Sequence, residues 1–297
     1  MTVAMSATRT FELEPLGRFS LAEANAFGFG ARMASEGARM QLAFASDVDW
    51  LPVAVELNQE TDDGIISGVL HGDAPLDAAM RQVRRVLSLD HDGREWARVL
   101  EREAPLKALA DQVPGMRPVL FHSPYEAAAW SIISARVARP QAAKLRHQIA
   151  MELGTPFTFE SGETMAAFPS PGALLEGIDR VPLSEMKRGR LAGVAEAALD
   201  GQLDLELIHG MGPETATVHL QTIKGIGPFW ATLIVVRASG FADALAQEPR
   251  ARARALAAYG LPETSTEAEF AELAERWRPF RAWATVLCRV AHERGLR

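Results

Sequence analysis

The chain has 297 residues, 48% of them hydrophobic, which is enough apolar material for one large or two ordinary domains. It has no run of about 18 apolar residues and no signal-peptide pattern at its start, so we expect no membrane span and a cytoplasmic location. The single cysteine, Cys288, excludes an internal disulfide and the multi-cysteine clusters that hold zinc or iron–sulfur. We therefore predict no metal and no cofactor.

The formal net charge of −7 counts against general nucleic-acid binding, because phosphate is bound mainly by cations. The positive charge is uneven, however, and three basic clusters follow residue 130. They are Arg136, Arg139, Lys144 and Arg146; Lys187, Arg188 and Arg190; and Arg250, Arg252 and Arg254. Any single cluster is typical of a solvated helix face. Three together favour a local, salt-sensitive contact with DNA.

The first third of the chain has the pattern of short strands joined by turns. Two segments alternate apolar and polar residues, a third follows the tight-turn signal Asp63-Gly64, and Pro75 suits the first position of a helix. The strands are Met40–Phe44, Val53–Leu57 and Ile65–Leu70, and the helix is Leu76–Leu87. We predict that residues 1–110 form a small antiparallel sheet with helices.

Strand signals stop after residue 105, and helix signals replace them. Ser123 suits an N-cap, Pro124 the first helical position, and Glu126 the last place of a capping box. Arg139-Pro140 ends this helix and starts the next. We therefore predict an all-helical domain over residues 111–297 and an α+β, mostly helical fold.

The most informative segment surrounds Gly225-Ile226-Gly227. An apolar helix end precedes it, and Pro228 starts a new helix. Glycines permit positive φ and close approach, and the free N–H groups of the following helix favour an anion. The alternative is that this is only a tight turn. The flanking pattern favours a phosphate-binding hairpin over residues 214–239, in which Lys224, Gly225, Ile226 and Gly227 contact DNA and Ile226 fills the space between the helices.

This segment resembles the helix-hairpin-helix of the base-excision DNA glycosylases, and the chain is similar to the type II 3-methyladenine DNA glycosylases. The resemblance extends to His122–Glu126 with Ile132-Ile133-Ser134, and to Ala274–Arg281. It implies a protein that flips a base out of double-stranded DNA and cleaves its bond to deoxyribose. It gives no sign of an obligatory protein partner, and we expect a monomer.

The resemblance also assigns residues to DNA contacts and to the base pocket. Arg136 follows Ile-Ile-Ser, where the family carries its DNA wedge, and could fill the gap left by a flipped base or meet a phosphate. Arg250 is a further predicted DNA contact. Phe229 and Trp230 are the candidate walls of the base pocket. Trp130 and Trp283 lie on apolar stripes, so we predict that they are core residues and do not line the base pocket.

The catalytic positions depart from the family pattern. Phe229 stands where lyase members carry a nucleophilic lysine, so we expect a monofunctional enzyme. Aligned without gaps, Pro249 occupies the place of the catalytic aspartate, and Glu248, one residue earlier, is the one candidate acid. Arg289 replaces an aromatic residue near the C-terminal helix, where it would repel a cationic base.

Three functions remain open at this point. The first is a monofunctional glycosylase that excises alkylated bases with Glu248 as its acid. The second is an inactive DNA-binding protein that recognises damaged or distorted duplex, as the departures at Arg136, Pro249 and Arg289 suggest. The third is a helical protein without a nucleic-acid role, which only the net charge supports. The full-length resemblance favours the first.

Overall fold

We describe a computed structural model of the chain, which covers residues 8–32, 34–245 and 248–296. The strands are β1 Arg9–Leu13, β2 Arg39–Ala45, β3 Pro52–Gln59, β4 Ile66–His71, β5 Thr155–Thr158 and β6 Thr164–Ala167. The N-terminal helices are α1 Leu21–Phe27, α2 Leu76–Val86, α3 Gly93–Arg102 and α4 Ala104–Ala110. The central helices are α5 Pro124–Ser134, α6 Arg139–Leu153, α7 Pro171–Glu176, α8 Glu185–Leu199 and α9 Leu205–Leu220. The last helices are α10 Pro228–Arg237, α11 Pro249–Ala258, α12 Glu267–Glu275 and α13 Arg281–Arg294.

The N-terminal sheet is antiparallel throughout, with the strand order β1-β4-β3-β2. The predicted strands lie within β2, β3 and β4, except that Ile65 falls just before β4. Pro75 is the N-cap of α2 and not its first helical residue. The fold class is therefore confirmed: a small antiparallel sheet precedes a mostly helical chain.

A two-stranded hairpin, β5–β6, interrupts the part of the chain that we predicted to be all helical. It packs against the N-terminal sheet, where Phe159 and Ala167 form a small buried cluster with Ala43 and Ala54. The small alanine side chains of the sheet allow this close approach. Four-residue strands are too short to show a periodic pattern in the sequence. The β5–β6 hairpin is stabilised by packing against strands that lie more than one hundred positions earlier in the chain.

Helices α3 and α4 share a hydrophobic core with the last helices of the chain. Trp96 and Leu106 pack in one buried cluster with Trp277 and Trp283. The division at residue 110 stays a proposal, since these two helices lie before it and contact helices after it. Within the described residues, no helix combines the length and the apolar character needed to cross a membrane.

Helix α5 starts as predicted, but its acidic residue has another role. The Ser123 hydroxyl accepts a hydrogen bond from the Glu126 backbone N–H at 3.1 Å. The Glu126 carboxylate lies 3.1 Å from His122 Nδ1 and accepts from Arg146 Nη2 at 2.9 Å. The predicted cap is confirmed, and the second half of the predicted capping box is wrong, because this carboxylate pairs with two side chains.

Replacing Ser123 by alanine tests the cap. The Ser123→Ala variant leaves a buried N–H of α5 without its acceptor, so its free energy of unfolding should fall by about 1 kcal/mol. Urea denaturation measures this. Ser35→Ala, at an exposed position, is the control and should leave the stability unchanged. Equal stability of the two variants would show that the cap contributes nothing.

Candidate functional site

The predicted hairpin joins α9 to α10 in seven residues, 221–227. Gly225 has a φ of +103°, a backbone conformation that residues other than glycine rarely adopt. Ile226 is 4% exposed and belongs to the same core as Ile223 and Ala231, so it fills the space between the two helices. Gly227 is the N-cap of α10.

The two glycines differ in their surroundings. A Cβ atom on Gly225 would lie 2.8 Å from Ile132 Cδ1 and 3.0 Å from Arg190 Cδ. The hairpin therefore packs closely against α5 and α8. A Cβ atom on Gly227 would meet no atom within 4 Å, so this face of the hairpin is open. Lys224 is exposed next to it.

Basic residues from two separate clusters lie around this hairpin. Lys187 Nζ donates to the carbonyl oxygens of Ile133 and Ala135, each at 2.9 Å, and so holds the end of α5 against α8. Its partial burial lowers the pKa of Lys187. The exposed Arg136 follows at a φ of +57°, in the left-handed region. The sequence predicted a basic cluster with Lys187 and Arg190, and the packing places the Arg190 side chain beside Gly225 of the hairpin.

The two aromatic residues at the start of α10 form a ring pair. The Phe229 and Trp230 ring centroids lie 5.5 Å apart at 77°. Trp230 is partly buried against the core, whereas 55% of Phe229 is exposed. Trp230 is thus held in place by the protein, and much of the Phe229 ring is exposed two residues after Gly227.

Glu248 is the N-cap of α11, and its side chain is firmly held. One carboxylate oxygen, Oε2, accepts from the backbone N–H of Ala251, and the other, Oε1, accepts from Arg289 Nη1 at 2.6 Å. Pro249 takes the first helical position and is exposed, as is Arg250 after it. Glu248, and not Pro249, therefore supplies a carboxylate at the start of α11.

Arg289 links the acid to the C-terminal helix. Its guanidinium also pairs with Glu293, one turn further along α13. Burial alone would lower the pKa of Arg289, but its hydrogen bonds to Glu293 and Glu248 raise it above the ordinary value. The arginine is a permanent positive charge shared by two carboxylates.

A second arginine nearby was missed at the level of sequence. Arg237 is buried at the end of α10, and its guanidinium carbon lies 3.6 Å from the ring centroid of Phe29. Burial lowers its pKa to about 9. In the sequence, the available signal for Arg237 was a single charged residue directly after the apolar run 233–236. Arg237 ties the segment after α1 to the helix that follows the hairpin.

The structure joins some of the predicted site residues and not others. Among the described residues, no hydrogen bond, ion pair or ring contact connects Glu248 with Phe229 or Trp230. The residues that hold Glu248 are Ala251 and Arg289. Among the described residues, Glu248 is thus held by α11 and α13, and the aromatic pair belongs to the start of α10.

The antiparallel sheet, the helical body and the Gly-Ile-Gly hairpin followed by a capped helix define the helix-hairpin-helix DNA glycosylase fold. The structure of the 3-methyladenine DNA glycosylase of Archaeoglobus fulgidus superposes with a TM-score of 0.76 and 22% identity, over 95% of this chain and 98% of that one. The 8-oxoguanine glycosylase/lyase of Clostridium acetobutylicum, solved with double-stranded DNA, gives a TM-score of 0.66 and 17% identity, over 94% and 93% of the two chains. The resemblance predicted from the sequence is confirmed, and the fold is that of these enzymes.

Sequence comparison points to the same group of proteins. A probable bifunctional transcriptional activator/DNA repair enzyme AlkA of Mycobacterium tuberculosis is 28% identical over 208 residues, which are 70% of this chain. The match covers 41% of that protein, so the chain spans less than half the length of this relative. No protein-family profile matches the chain.

The same substitution should lower the stability at one hairpin glycine and leave it unchanged at the other. Gly225→Ser forces a side chain into positive φ and against Ile132, and we expect it to lower the free energy of unfolding by at least about 1–2 kcal/mol. Gly227→Ser supplies a favourable N-cap in open space and should cost nothing. Urea denaturation of both variants checks this, and equal losses would contradict the packing described for Gly225.

Proposed function

We propose that this protein is a monofunctional DNA glycosylase that releases alkylated bases from double-stranded DNA, with Glu248 as its acid. The observation that carries the proposal is the position of Glu248. It follows the hairpin and its second helix, and it is fixed by the Ala251 N–H and by Arg289. A fixed carboxylate at this place supplies a negative charge of the kind that excision requires.

The hairpin supports a DNA-backbone contact. The N-terminus of α10 has a favourable dipole and free N–H groups for a phosphate, and Gly227 leaves room for one. Arg136, Lys187 and Lys224 lie on the surrounding segments and add positive charge. Such contacts set the register on the duplex without reading bases, so binding should fall as salt is raised.

The chemistry needs one negative charge and no nucleophilic lysine. As the base leaves, the sugar develops positive charge, and a carboxylate held beside it stabilises that charge. Phe229 stands at the place of the lyase nucleophile, so strand cleavage is not part of the proposed reaction. The fold relatives named for 3-methyladenine support alkylated bases as the substrate class.

A second candidate is an inactive protein that binds damaged or distorted duplex. The observation that favours it is the engagement of both Glu248 carboxylate oxygens, one of them by a guanidinium that offsets the negative charge. The departures at Pro249 and Arg289 support the same function. Base release decides between the two candidates, because each of them requires DNA binding.

Charge at Gly227 tests the hairpin. Aspartate and asparagine are equally good N-caps of the same shape, so both variants should fold. Gly227→Asp places a negative charge where the phosphate is proposed to bind and should weaken duplex binding about tenfold at low salt, with no dependence on sequence. Gly227→Asn adds the same bulk and the same cap without the charge, so it should bind duplex more tightly than Gly227→Asp and gives the loss due to shape alone. Equal affinities of the two variants, measured by fluorescence anisotropy, would exclude the hairpin as the phosphate site.

Removal of the Glu248 charge tests the acid. Glu248→Gln keeps an oxygen for the α11 cap but loses the negative charge, so base release from alkylated duplex should fall at least about a hundredfold. Binding to the same duplex should persist. Glu293→Gln removes the other carboxylate paired with Arg289 and is the matched control, with release expected near the wild-type rate.

The outcomes separate the candidates. Release that is lost in Glu248→Gln and kept in Glu293→Gln supports the proposed enzyme. Release unchanged in Glu248→Gln would remove Glu248 from the mechanism. Duplex binding without release by the wild type would favour the inactive DNA-binding protein.

A further inference from the structure

Lys187 on α8 reaches the end of α5 across the interface between the two helices. Its Nζ donates to the carbonyl oxygens of Ile133 and Ala135, each at 2.9 Å. The last carbonyl groups of a helix have no donor within the helix, and a cation beside them also opposes the negative end of the helix dipole. An ammonium group has three N–H donors, and two of them are used here. Lys187 is therefore bound to the backbone of α5 and is not a free surface charge.

A tight turn over Ser134–Val137 ends α5. The Val137 backbone N–H donates to the Ser134 carbonyl oxygen at 3.0 Å and closes the turn. Ala135 has a φ of −54° and a ψ of 119°, and Arg136 has a φ of +57°. These angles are typical of a type II turn, in which the third residue is usually glycine or asparagine.

The hydrogen bond from Lys187 to Ala135 favours this type of turn. The central peptide of the turn joins Ala135 to Arg136, and its orientation distinguishes a type II turn from a type I turn. In a type I turn this peptide is flipped, so the Ala135 carbonyl oxygen would point away from Lys187. Because Nζ holds that oxygen, Lys187 stabilises the orientation that gives Arg136 a positive φ.

Arg136 is an unusual residue at this position of a turn. A side chain at positive φ is strained, and such strain persists where the surrounding structure imposes it, often at functional sites. The Arg136 side chain is exposed, and among the described residues no hydrogen bond or ion pair engages it. Its guanidinium is therefore available to a ligand.

The same side of α8 also contacts the hairpin. Lys187 and Arg190 are three positions apart, which places both on one face of the helix. A Cβ atom on Gly225 would lie 3.0 Å from Arg190 Cδ. One face of α8 thus connects the hairpin with the Arg136 turn and sets the spacing between two segments that are proposed to contact DNA.

We propose that Lys187 is a positioning residue, which locks the Ser134–Val137 turn and so holds Arg136 towards the duplex. This role rests on the proposed DNA binding and involves neither Glu248 nor base release. A guanidinium can stack on bases or bind a phosphate, and both contacts are stronger when the side chain leaves the surface in a fixed direction. Lys187 acts through Arg136 and needs no DNA contact of its own.

Amide hydrogen exchange tests the lock in the absence of DNA. The Val137 N–H closes the turn, so its exchange in Lys187→Met should be at least about tenfold faster than in the wild type. Protection should return in the Lys187→Met/Arg136→Gly double variant, because glycine adopts this φ without strain. Lys107→Met removes the same charge from an exposed site on α4 and should leave Val137 unchanged. Unchanged Val137 exchange in Lys187→Met would overturn the proposal.

A double-mutant cycle tests the route from Lys187 to DNA. The probe is a duplex with one abasic site, which offers both phosphates and a gap in the base stack, and fluorescence anisotropy gives the affinity. Lys187→Met and Arg136→Ala should each weaken binding at least about fivefold, and the double variant should bind no more weakly than either single one. Lys187→Arg keeps donors for both carbonyl oxygens and should retain most of the affinity, and Lys107→Met should retain all of it.

This role and the proposed function can fail separately. Additive losses in the cycle would show that Lys187 contacts DNA directly, and they would overturn the positioning role while DNA binding stands. Wild-type binding that neither Lys187→Met nor Arg136→Ala weakens would do the same. No duplex binding by the wild type would contradict the proposed function, and would reduce Lys187 to a structural cap even where Val137 exchange responds as expected.

Discussion

The close approach of the Gly225 backbone to the side chains of Ile132 and Arg190 sets how the hairpin lies against α5 and α8. Only a residue without Cβ allows the hairpin to lie this close to α5 and α8. That approach places the open N-terminus of α10 beside the end of α5, where Lys187 holds two carbonyl oxygens. The open start of α10 and the basic Arg190 beside it therefore follow from one packing constraint.

Arg289 pairs with two carboxylates, one at the start of α11 and one on α13. Arg289 binds Glu248 and Glu293 together, so the acid is oriented and at the same time partly neutralised. The two functions proposed above differ in which of these two effects of Arg289 prevails. An arginine in place of an aromatic ring also removes the cation–π attraction that favours cationic bases. Two of the predicted departures, at Pro249 and Arg289, thus lie at one ion pair, which Arg289 forms with the neighbouring Glu248.

Sequence analysis succeeded where the signal was local. Ser123 and Pro124 specify a helix start by their own backbone preferences, and the alternation in β2 and β3 reports one buried face of a sheet. The Gly-Ile-Gly segment specifies a hairpin for the same reason, because glycine conformation is a property of the residue. Sequence analysis missed the β5–β6 hairpin, whose short strands pack against alanines of the N-terminal sheet, far away in the chain.

The sequence by itself predicted the helix-hairpin-helix fold and offered Glu248 as a candidate acid after the hairpin. Only the tertiary structure showed what Glu248 pairs with, because Arg289 lies 41 residues away and no local pattern links the two. The same holds for Glu126, which local rules assign to a capping box and which packing pairs with His122 and Arg146. Backbone preferences act within a few residues, whereas charge pairing and cavities arise between elements that meet only after folding.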